Sequence, residues 1–190
     1  MKVAVRFLVI FNLFHIAMAN HVDDFYKMLV NPGVAAFKKK YSQNQFDSVF
    51  ESVGTCYFIG PGEYFYQSED IEIYAQADQI VTKNFKTKQV LYNSINKDHF
   101  SLMTILSGKK NKIKFFDKYD RDFNYHFTVP QLGFDGFFSF NNKTGLIQGL
   151  NLEIGQNQSM YIEVISIELI DNFSMPKINV ENFDLIDLRG

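Results

Sequence analysis

Few residues in this chain have the types and spacing that binding or catalytic chemistry requires. Asp120, Asp122 and Asn124 place carboxylate and amide side chains at every second position, as in the first half of a calcium loop. Such a loop also needs glycine at its sixth position and glutamate at its twelfth, and this chain has Tyr125 and Gln131 there. Arg121 adds a positive charge among the would-be ligands. We therefore interpret this segment as a charged hairpin turn and predict no metal site.

Catalytic signatures are equally weak. The sequence contains no nucleophile elbow, zinc-protease helix, phosphate loop or dinucleotide fingerprint. His21, His99 and His126 have no second His or Cys at ligand spacing. We therefore assign no catalytic residue and predict no cofactor.

The single cysteine, Cys56, lies in the apolar run 55–59. This position predicts a buried thiol that behaves as a small apolar side chain, and an intermolecular disulfide is the alternative. A catalytic thiol would need a neighbouring base that lowers its pKa, and the adjacent residues supply none. Stability must therefore come from packing, since one cysteine cannot form an internal disulfide.

Residues 1–19 have the layout of a secretory signal peptide. Lys2 and Arg6 form a short positive head, an apolar run follows, and Ala17-Met18-Ala19 is a small-x-small cleavage site. The run is shorter than the about 20 apolar residues that span a bilayer, and no later stretch qualifies. We predict cleavage after Ala19, secretion to the extracellular space and no membrane span.

The bulk composition is typical of a globular protein with a mildly acidic charge. The 190-residue chain is 46% hydrophobic and 16% aromatic, with 21 Phe and no Trp. Removal of Lys2 and Arg6 with the leader leaves 17 basic residues against 21 acidic ones, a net charge of −4. This balance argues against nucleic-acid binding, which favours a basic excess. We predict a single domain over residues 20–190, with an extended tail from about residue 172.

The first third of the chain has apolar residues at helical spacing. Residues 22–29 have one apolar face, with two acids in the first turn. Asn31-Pro32 is typical of a helix start and predicts a second helix over residues 34–41, with lysines 38–40 mostly in solvent. Residues 46–54 predict a third helix that ends at a glycine.

From Thr55 the apolar period becomes two, which is typical of strands. Residues 55–59 and 63–67 flank a Gly-Pro-Gly turn and predict a hairpin. Between residues 113 and 129 most apolar residues take odd positions and most charged or polar residues even ones, so one face of each strand is buried, and charges at residues 117–122 mark the turn between the strands.

The remaining elements complete an antiparallel set. Residues 137–140 and 146–154 predict a hairpin, and residues 89–95, 100–106 and 160–169 predict further strands. Residues 69–78 follow a cap-like serine and predict one more helix, although their alternating isoleucines would also suit a strand. The tail has alternating apolar residues without a clear partner.

The order of these elements resembles the nuclear transport factor 2-like cone fold over about residues 22–155. Phe137-Phe138-Ser139-Phe140 followed by Thr144-Gly145-Leu146-Ile147 is similar to the closing hairpin of that family. The resemblance implies an α+β fold, with N-terminal helices packed on a strongly curved antiparallel sheet around a pocket. The family's catalytic acid–base pair maps onto no position here. The alternative is a lipocalin-like antiparallel β-barrel with N-terminal helices.

Phenyl side chains on the predicted inward faces suggest a pocket for a small apolar ligand. The candidate lining residues are Phe115, Phe123, Phe127, Phe138 and Leu150. We therefore favour a secreted, non-enzymatic binding domain.

Two other functions are compatible with the sequence. The first is an enzyme of the cone-fold type, with a buried carboxylate near His99 or His126. The second is a structural module that uses Cys56 or an exposed strand edge to bind a partner, which makes a homodimer an option.

Three N-x-S/T sequons predict N-linked glycans. They begin at Asn142, Asn157 and Asn172, and all three fall in predicted loops, where a glycan can be attached and solvated.

Overall fold

The computed structural model describes residues 21–29, 34–45, 48–60, 62–76, 78–95, 105–106, 113–119, 124–155 and 158–189. The predicted signal peptide, residues 1–19, lies outside these residues.

The described residues contain one helix and twelve strands with defined bounds. The helix, α1, spans His21–Leu29. The strands in chain order are β1 Val34–Gln45, β2 Ser48–Gly60, β3 Glu63–Ser68, β4 Ile71–Gln76, β5 Gln79–Asn84, β6 Gln89–Ser94, β7 Lys114–Tyr119, β8 Asn124–Val129, β9 Phe134–Phe140, β10 Ile147–Gly155, β11 Gln158–Ile170 and β12 Asp184–Asp187.

All twelve strands belong to one curved, open sheet. Their order is β12-β6-β5-β4-β3-β2-β1-β11-β10-β9-β8-β7. Every neighbouring pair is antiparallel except β12 and β6, which run parallel. Within the described residues, β12 and β7 form the two edges of the sheet and do not pair with each other. The lipocalin-like barrel is therefore not confirmed.

The predicted second and third helices are wrong, because their residues form β1 and β2. These long strands pair from Ala35 opposite Phe58 to Gln45 opposite Ser48. Apolar residues four positions apart fit one helix face, but they also fit one strand face, since four is an even number. The pairing of β1 with β2 and β11 selects the strand.

Two further secondary-structure predictions, for residues 69–78 and for residues 100–106, are also wrong. The helix predicted over residues 69–78 is β4, in which Ile71, Ile73 and Ala75 alternate on one face. The strand predicted over residues 100–106 is wrong at its end, because Ile105 and Leu106 are helical, and its other residues lie outside the described ranges.

The predicted hairpins and the alternation after Thr55 are confirmed. β2 and β3 form the first hairpin, with Gly62 at a φ of 83° in the turn. β9 and β10 form the second hairpin, and β7 and β8 follow the odd–even pattern, with Phe127 and Val129 fully buried.

These strands overturn the resemblance to the nuclear transport factor 2-like cone fold. That resemblance depended on two or three helices before the first strand, whereas the sheet begins at Val34. The α+β prediction holds only in its coarser form, a helix packed on a curved antiparallel sheet that contributes most of the structure.

The face of the sheet that packs against α1 is called the inner face. α1 directs four side chains, Val22, Phe25, Tyr26 and Leu29, onto this face, and all four are buried. The Phe25 ring centroid lies 6.0 Å from that of Phe37 on β1. Full burial of one such side chain contributes about 1.5–3 kcal/mol, so this contact holds the short helix in place.

The opposite, outer face carries a second apolar cluster that the tail covers. Its buried residues are Phe65, Tyr74, Val81 and Val90. The tail residues packed against it are Phe173, Met175, Ile178, Val180 and Phe183. The Phe173 ring stacks on that of Tyr57, with centroids 4.4 Å apart and planes 7° apart. The tail thus has the partner that its alternating apolar residues lacked in the sequence.

β12 continues the tail as the edge strand beside β6. The amide N–H of Asp184 donates to the carbonyl of Lys88, and that of Leu188 donates to the carbonyl of Tyr92, both at 2.8 Å. The Phe183 ring lies under two cations, with the Lys83 Nζ 4.5 Å and the Lys88 Nζ 5.3 Å from its centroid. The end of the chain therefore covers the hydrogen-bonding edge of β6.

Phe173→Ala should lower the free energy of unfolding by about 1–2 kcal/mol, because it removes a stacked ring that covers the outer face. Urea unfolding measures the change. Phe116→Ala is the matched control, since the Phe116 side chain is 54% exposed. Equal destabilisation by both substitutions would show that the tail does not stabilise the outer face.

Candidate ligand-binding face

Cross-strand register aligns apolar side chains in rows across the inner face. One row contains Ile167, Phe37, Cys56, Tyr66 and Ile73, on β11, β1, β2, β3 and β4. A neighbouring row contains Phe58, Tyr64, Ala75 and Ile80. Both rows run perpendicular to the strands, so together they form a continuous apolar surface on the inner face.

Four of the five predicted pocket residues meet on this face. Phe127 and Phe138 have ring centroids 5.5 Å apart, and Leu150 pairs directly with Phe138. These three side chains have no exposed surface. Phe115 is partly buried, with its ring 6.0 Å from Phe127. Phe123 lies outside the described residues. Their role as ligand lining stays a prediction.

α1 lies directly against this aromatic cluster. The Phe25 ring centroid lies 6.0 Å from that of Phe138 and 6.5 Å from that of Phe140. The Tyr26 ring contacts Phe138 at 6.2 Å, and its hydroxyl donates a 3.0 Å hydrogen bond to the Ile105 carbonyl. Burial raises the pKa of Tyr26 above its usual range. A ligand must therefore lie beside α1 rather than beneath it.

The inner face of β4–β6 is less completely covered. Ile71, Ile73 and Ile80 are partly buried and pack against the main core, and Leu91 on β6 is also partly buried. Thr82 on β5 pairs with Ile73 on one side and with Leu91 on the other, so these three residues form one cross-strand row. We call these four aliphatic residues the inner strip. Like other partly buried residues at the border of the main core, such as Phe115 and Ile167, they retain some solvent-exposed surface.

Lys39 is a buried cation on the same face, and its predicted exposure to solvent is wrong. Its residue surface is only 4% exposed, whereas Lys38 is exposed and Lys40 is half-buried. In a strand, Lys39 points to the same side as Phe37 and Tyr41. The alternation of these three residues would have indicated that Lys39 shares a face with Phe37 and Tyr41, but only if the segment had been interpreted as a strand.

The Lys39 ammonium lies among aromatic rings. Its Nζ is 4.4 Å from the Tyr66 ring centroid and 6.0 Å from that of Tyr41. Gly54 lies opposite Lys39 on β2, and a Cβ there would come within 2.6 Å of the Tyr66 ring. Glycine at this position therefore lets Tyr66 lie across β2. The Tyr66 hydroxyl is 3.1 Å from the Ser52 hydroxyl.

Burial shifts two pKa values at this point of the inner face. Desolvation lowers the pKa of Lys39, while its proximity to Cys56 acts in the opposite direction. Burial raises the pKa of the Cys56 thiol to about 12. The prediction of a buried thiol is confirmed, and the side chain has no exposed surface from which an intermolecular disulfide would form.

A surface groove of about 400 Å³ lies at the start of α1, apart from the inner strip. His21, Asp24 and Met28 line one side, and the β9–β10 loop lines the other. Gly145 in that loop has a φ of 68°, and a Cβ there would lie 3.0 Å from the His21 ring. The groove is thus shaped by a left-handed turn that brings the loop close to α1.

The sequons occupy different surroundings. Asn142 is exposed in the β9–β10 turn and belongs to the groove beside α1. Asn172 is exposed in the turn after β11, at a φ of 60°. Asn157 lies outside the described residues. Glycosylation at all three stays a prediction.

Neither a metal-binding cluster nor a bilayer-crossing helix occurs among the described residues. Groups of three or more His, Cys, Asp or Glu side chains that would hold a metal ion are not found in the part of the chain that the structure describes. His126 on β8 packs its ring 5.6 Å from Phe137, and His99 lies outside the described residues. A bilayer-crossing helix is not found among the described residues either.

Comparison with known proteins gives structural similarity without a family. No protein-family model and no curated protein matches the chain. An uncharacterized conserved protein from Thermus thermophilus aligns with a TM-score of 0.53 and 5% identity, over 89% of this chain and 98% of that one. This similarity shows a shared fold.

Two other solved structures align less well. A domain described as an outer membrane lipoprotein-sorting protein from Vibrio parahaemolyticus has a TM-score of 0.44 and 8% identity, over 80% of this chain and 92% of that one. A DUF1329 family protein from Desulfovibrio piger has a TM-score of 0.45 and 8% identity, over 82% and 92%.

Gly54→Ala should lower the free energy of unfolding by about 2 kcal/mol, because overpacking forces neighbouring groups apart. The added Cβ would lie 2.5 Å from the Gln67 carbonyl oxygen, which the sheet holds in place. Gly60→Ala is the matched control, since its nearest neighbour would be the Glu63 carboxylate at 4.0 Å. Thermal unfolding compares the variants, and equal melting temperatures would contradict the close approach of Tyr66 to β2.

Proposed function

We propose that this protein is an exported, non-enzymatic domain that binds a small apolar ligand on the inner face of the sheet, beside α1. One observation carries the proposal. The inner strip is an aliphatic group that is only partly covered, and it adjoins the completely buried side chains Cys56 and Ala75. Exposed apolar surface of this kind is typical of a binding site.

The energetics of such a ligand follow from apolar burial. Each Å² of apolar surface removed from water contributes about 25 cal/mol, so burial of about 300 Å² contributes about 7 kcal/mol. Loss of ligand freedom opposes this gain. In this proposal the inner strip forms the floor of the site, whereas Phe127, Phe138 and Leu150, which have no exposed surface, belong to the closed part of the core.

Mass spectrometry of organic extracts from the purified, folded protein tests the proposal directly. We expect a small apolar molecule in the extract, and saturable binding of the neutral fluorescent probe N-phenyl-1-naphthylamine. Ile73→Ser should weaken probe binding about 10-fold, because it puts a hydroxyl on the floor of the site. Leu185→Ser is the matched control on the outer face, where Leu185 is 58% exposed.

Two results would refute this function. The first is an extract without any apolar molecule, together with a wild-type protein that does not bind the probe. The second is equal weakening by Ile73→Ser and Leu185→Ser, which would assign the probe to nonspecific surface contacts.

Export is the part of the proposal that rests on the leader sequence. The mature protein should begin at Asn20, because the small-x-small site ends at Ala19. N-terminal sequencing of protein collected from the medium of its own secretory host checks this, and deglycosylation of the same sample should reduce its mass if Asn142, Asn157 or Asn172 carries a glycan. Recovery of the chain with Met1 intact would contradict the prediction.

A further inference from the structure

The first half of β2 has a hydrogen-bonding edge that no described strand covers. β3 pairs with β2 only from Gly54, opposite Ser68, to Gly60, whereas β1 pairs with β2 as far as Ser48. In the part of the chain that the structure describes, no strand pairs with the other side of residues 48–53. Alternate residues of an antiparallel strand direct their N–H and C=O groups to opposite sides, so half of these residues direct them away from β1. We call residues 48–53 the open edge.

The open edge carries apolar side chains that are exposed on both faces of the sheet. The exposed fractions are 66%, 58% and 51%, for Val49, Phe50 and Val53 respectively. Phe50 points to the inner face, where its ring centroid lies 6.2 Å from that of Tyr41 on β1, and the two valines point to the outer face. A partner that covers these side chains removes apolar surface from water, which favours association.

The open edge has little of the protection that exposed strands usually have. Natural sheets protect their edges with charged residues, prolines, bulges or very short strands. β12, at the border of the sheet, has only four residues and both begins and ends with aspartate. The open edge contains no proline, and its single charge, Glu51, lies 2.7 Å from the ammonium of Lys40 on β1. It is therefore a template for a further strand.

We propose that the open edge pairs with the open edge of a second copy of this chain, so that the two β2 strands run antiparallel around a two-fold axis at Phe50. Pairing of identical edges uses the same surface on both copies and leaves no open edge, whereas pairing with a different surface would leave one open edge and allow further addition. The two sheets then form one continuous sheet. Ligand binding on β4–β6 is a separate property, so either one holds without the other.

The end of β3 selects the register of this pairing. An axis at Phe50 places Ser48 of each copy opposite Ser52 of the other, and residues 48–52 of both strands are paired. An axis one residue further along β2 would place Ser48 opposite Gly54, whose other side already pairs with Ser68. It would also place two glutamates directly opposite each other, which is unfavourable. The pairing centred on Phe50 avoids both conflicts.

The axis also brings exposed aromatic rings together. The Cβ atoms of directly opposite residues lie about 4.5–5.5 Å apart, so the two Phe50 rings are in contact, with one Tyr41 ring beside each of them. Aromatic pairs of this kind stabilise neighbouring strands. Each copy contributes only one short strand, so the interface belongs to the small class, and we expect a dimer that dissociates on dilution.

Sedimentation velocity of the purified protein from about 1 µM to about 1 mM tests the pairing, since small interfaces associate in this range. We expect a monomer–dimer equilibrium without larger species. Phe50→Lys should weaken the dimer about 10-fold, because it removes the aromatic pair and puts two like charges opposite each other. Phe50→Glu should do the same, whereas an equimolar mixture of the two variants should restore the dimer through opposite charges.

Phe116→Lys is the matched control for the charged variants. Phe116 is 54% exposed on β7, so its replacement should leave the dimer unchanged. Circular dichroism checks that each variant keeps its sheet.

Disulfide formation tests the register separately and remains informative if Phe50→Lys does not fold. Phe50→Cys should give a disulfide-linked dimer on mild oxidation, because opposite Cβ atoms at the axis come close to the disulfide range. Val53→Cys should crosslink about 10-fold more slowly, since residue 53 lies outside the paired residues 48–52 and thus far from its own copy across the axis. The native Cys56 is buried and does not compete.

Several results would overturn the pairing. A protein that stays monomeric over the whole concentration range refutes it, and so do larger species, which would show an interface that does not close. A dimer that Phe50→Lys leaves unchanged, or that Phe116→Lys weakens equally, places the contact elsewhere. Failure of the mixed charged variants to associate, or equal crosslinking of the two cysteine variants, refutes the axis at Phe50.

Discussion

A single sheet with apolar side chains on both faces must have both faces covered, and this constraint organises the structure. Side chains of successive strand residues point to opposite faces, so one layer of strands buries little surface by itself. α1 covers part of the inner face through Phe25 and Tyr26. The tail covers the outer face through Phe173 and Phe183. The sheet is therefore held between two segments from opposite ends of the described chain.

Both buried lysines lie among aromatic rings, one on each face of the sheet. Lys83 lies on the outer face between the rings of Phe85 and Phe183, with its Nζ 4.0 Å from a Glu72 carboxylate oxygen. The Tyr74 hydroxyl donates to the same carboxylate at 2.7 Å. This cation is held by groups of the sheet and the tail, and so acts as part of the tail contact. Lys39 lies on the inner face, with its ammonium against the Tyr66 ring.

Local sequence patterns were sufficient to predict a hairpin wherever the turn residues and the alternation of apolar residues both indicated one. Gly62 and Gly145 both adopt positive φ values in hairpin turns, and the strands beside them were predicted from their alternation. The odd–even pattern of residues 113–129 correctly assigned Phe127 and Val129 to the buried face. Such elements need only short-range information, because a hairpin pairs residues that are close in sequence.

The sequence by itself determined the hairpins after Thr55, the buried thiol of Cys56 and the amphipathic helix α1. It also placed Phe127, Phe138 and Leu150 on an inward face, although as pocket lining, and the structure buries them completely. These features depend on local period and hydrophobicity, which a single chain segment carries. They required no knowledge of distant partners.

Only the tertiary structure decided the state of residues 34–45 and 48–53, the position of Lys39 and the partner of the tail. Phe37 and Tyr41 fit a helix and a strand equally well, and β11, more than 100 residues away in the chain, selects the strand. That selection turns Lys39 inward, beside Tyr66. The partner of the tail is likewise a surface formed jointly by β2–β6, and no single segment of the sequence contains that surface.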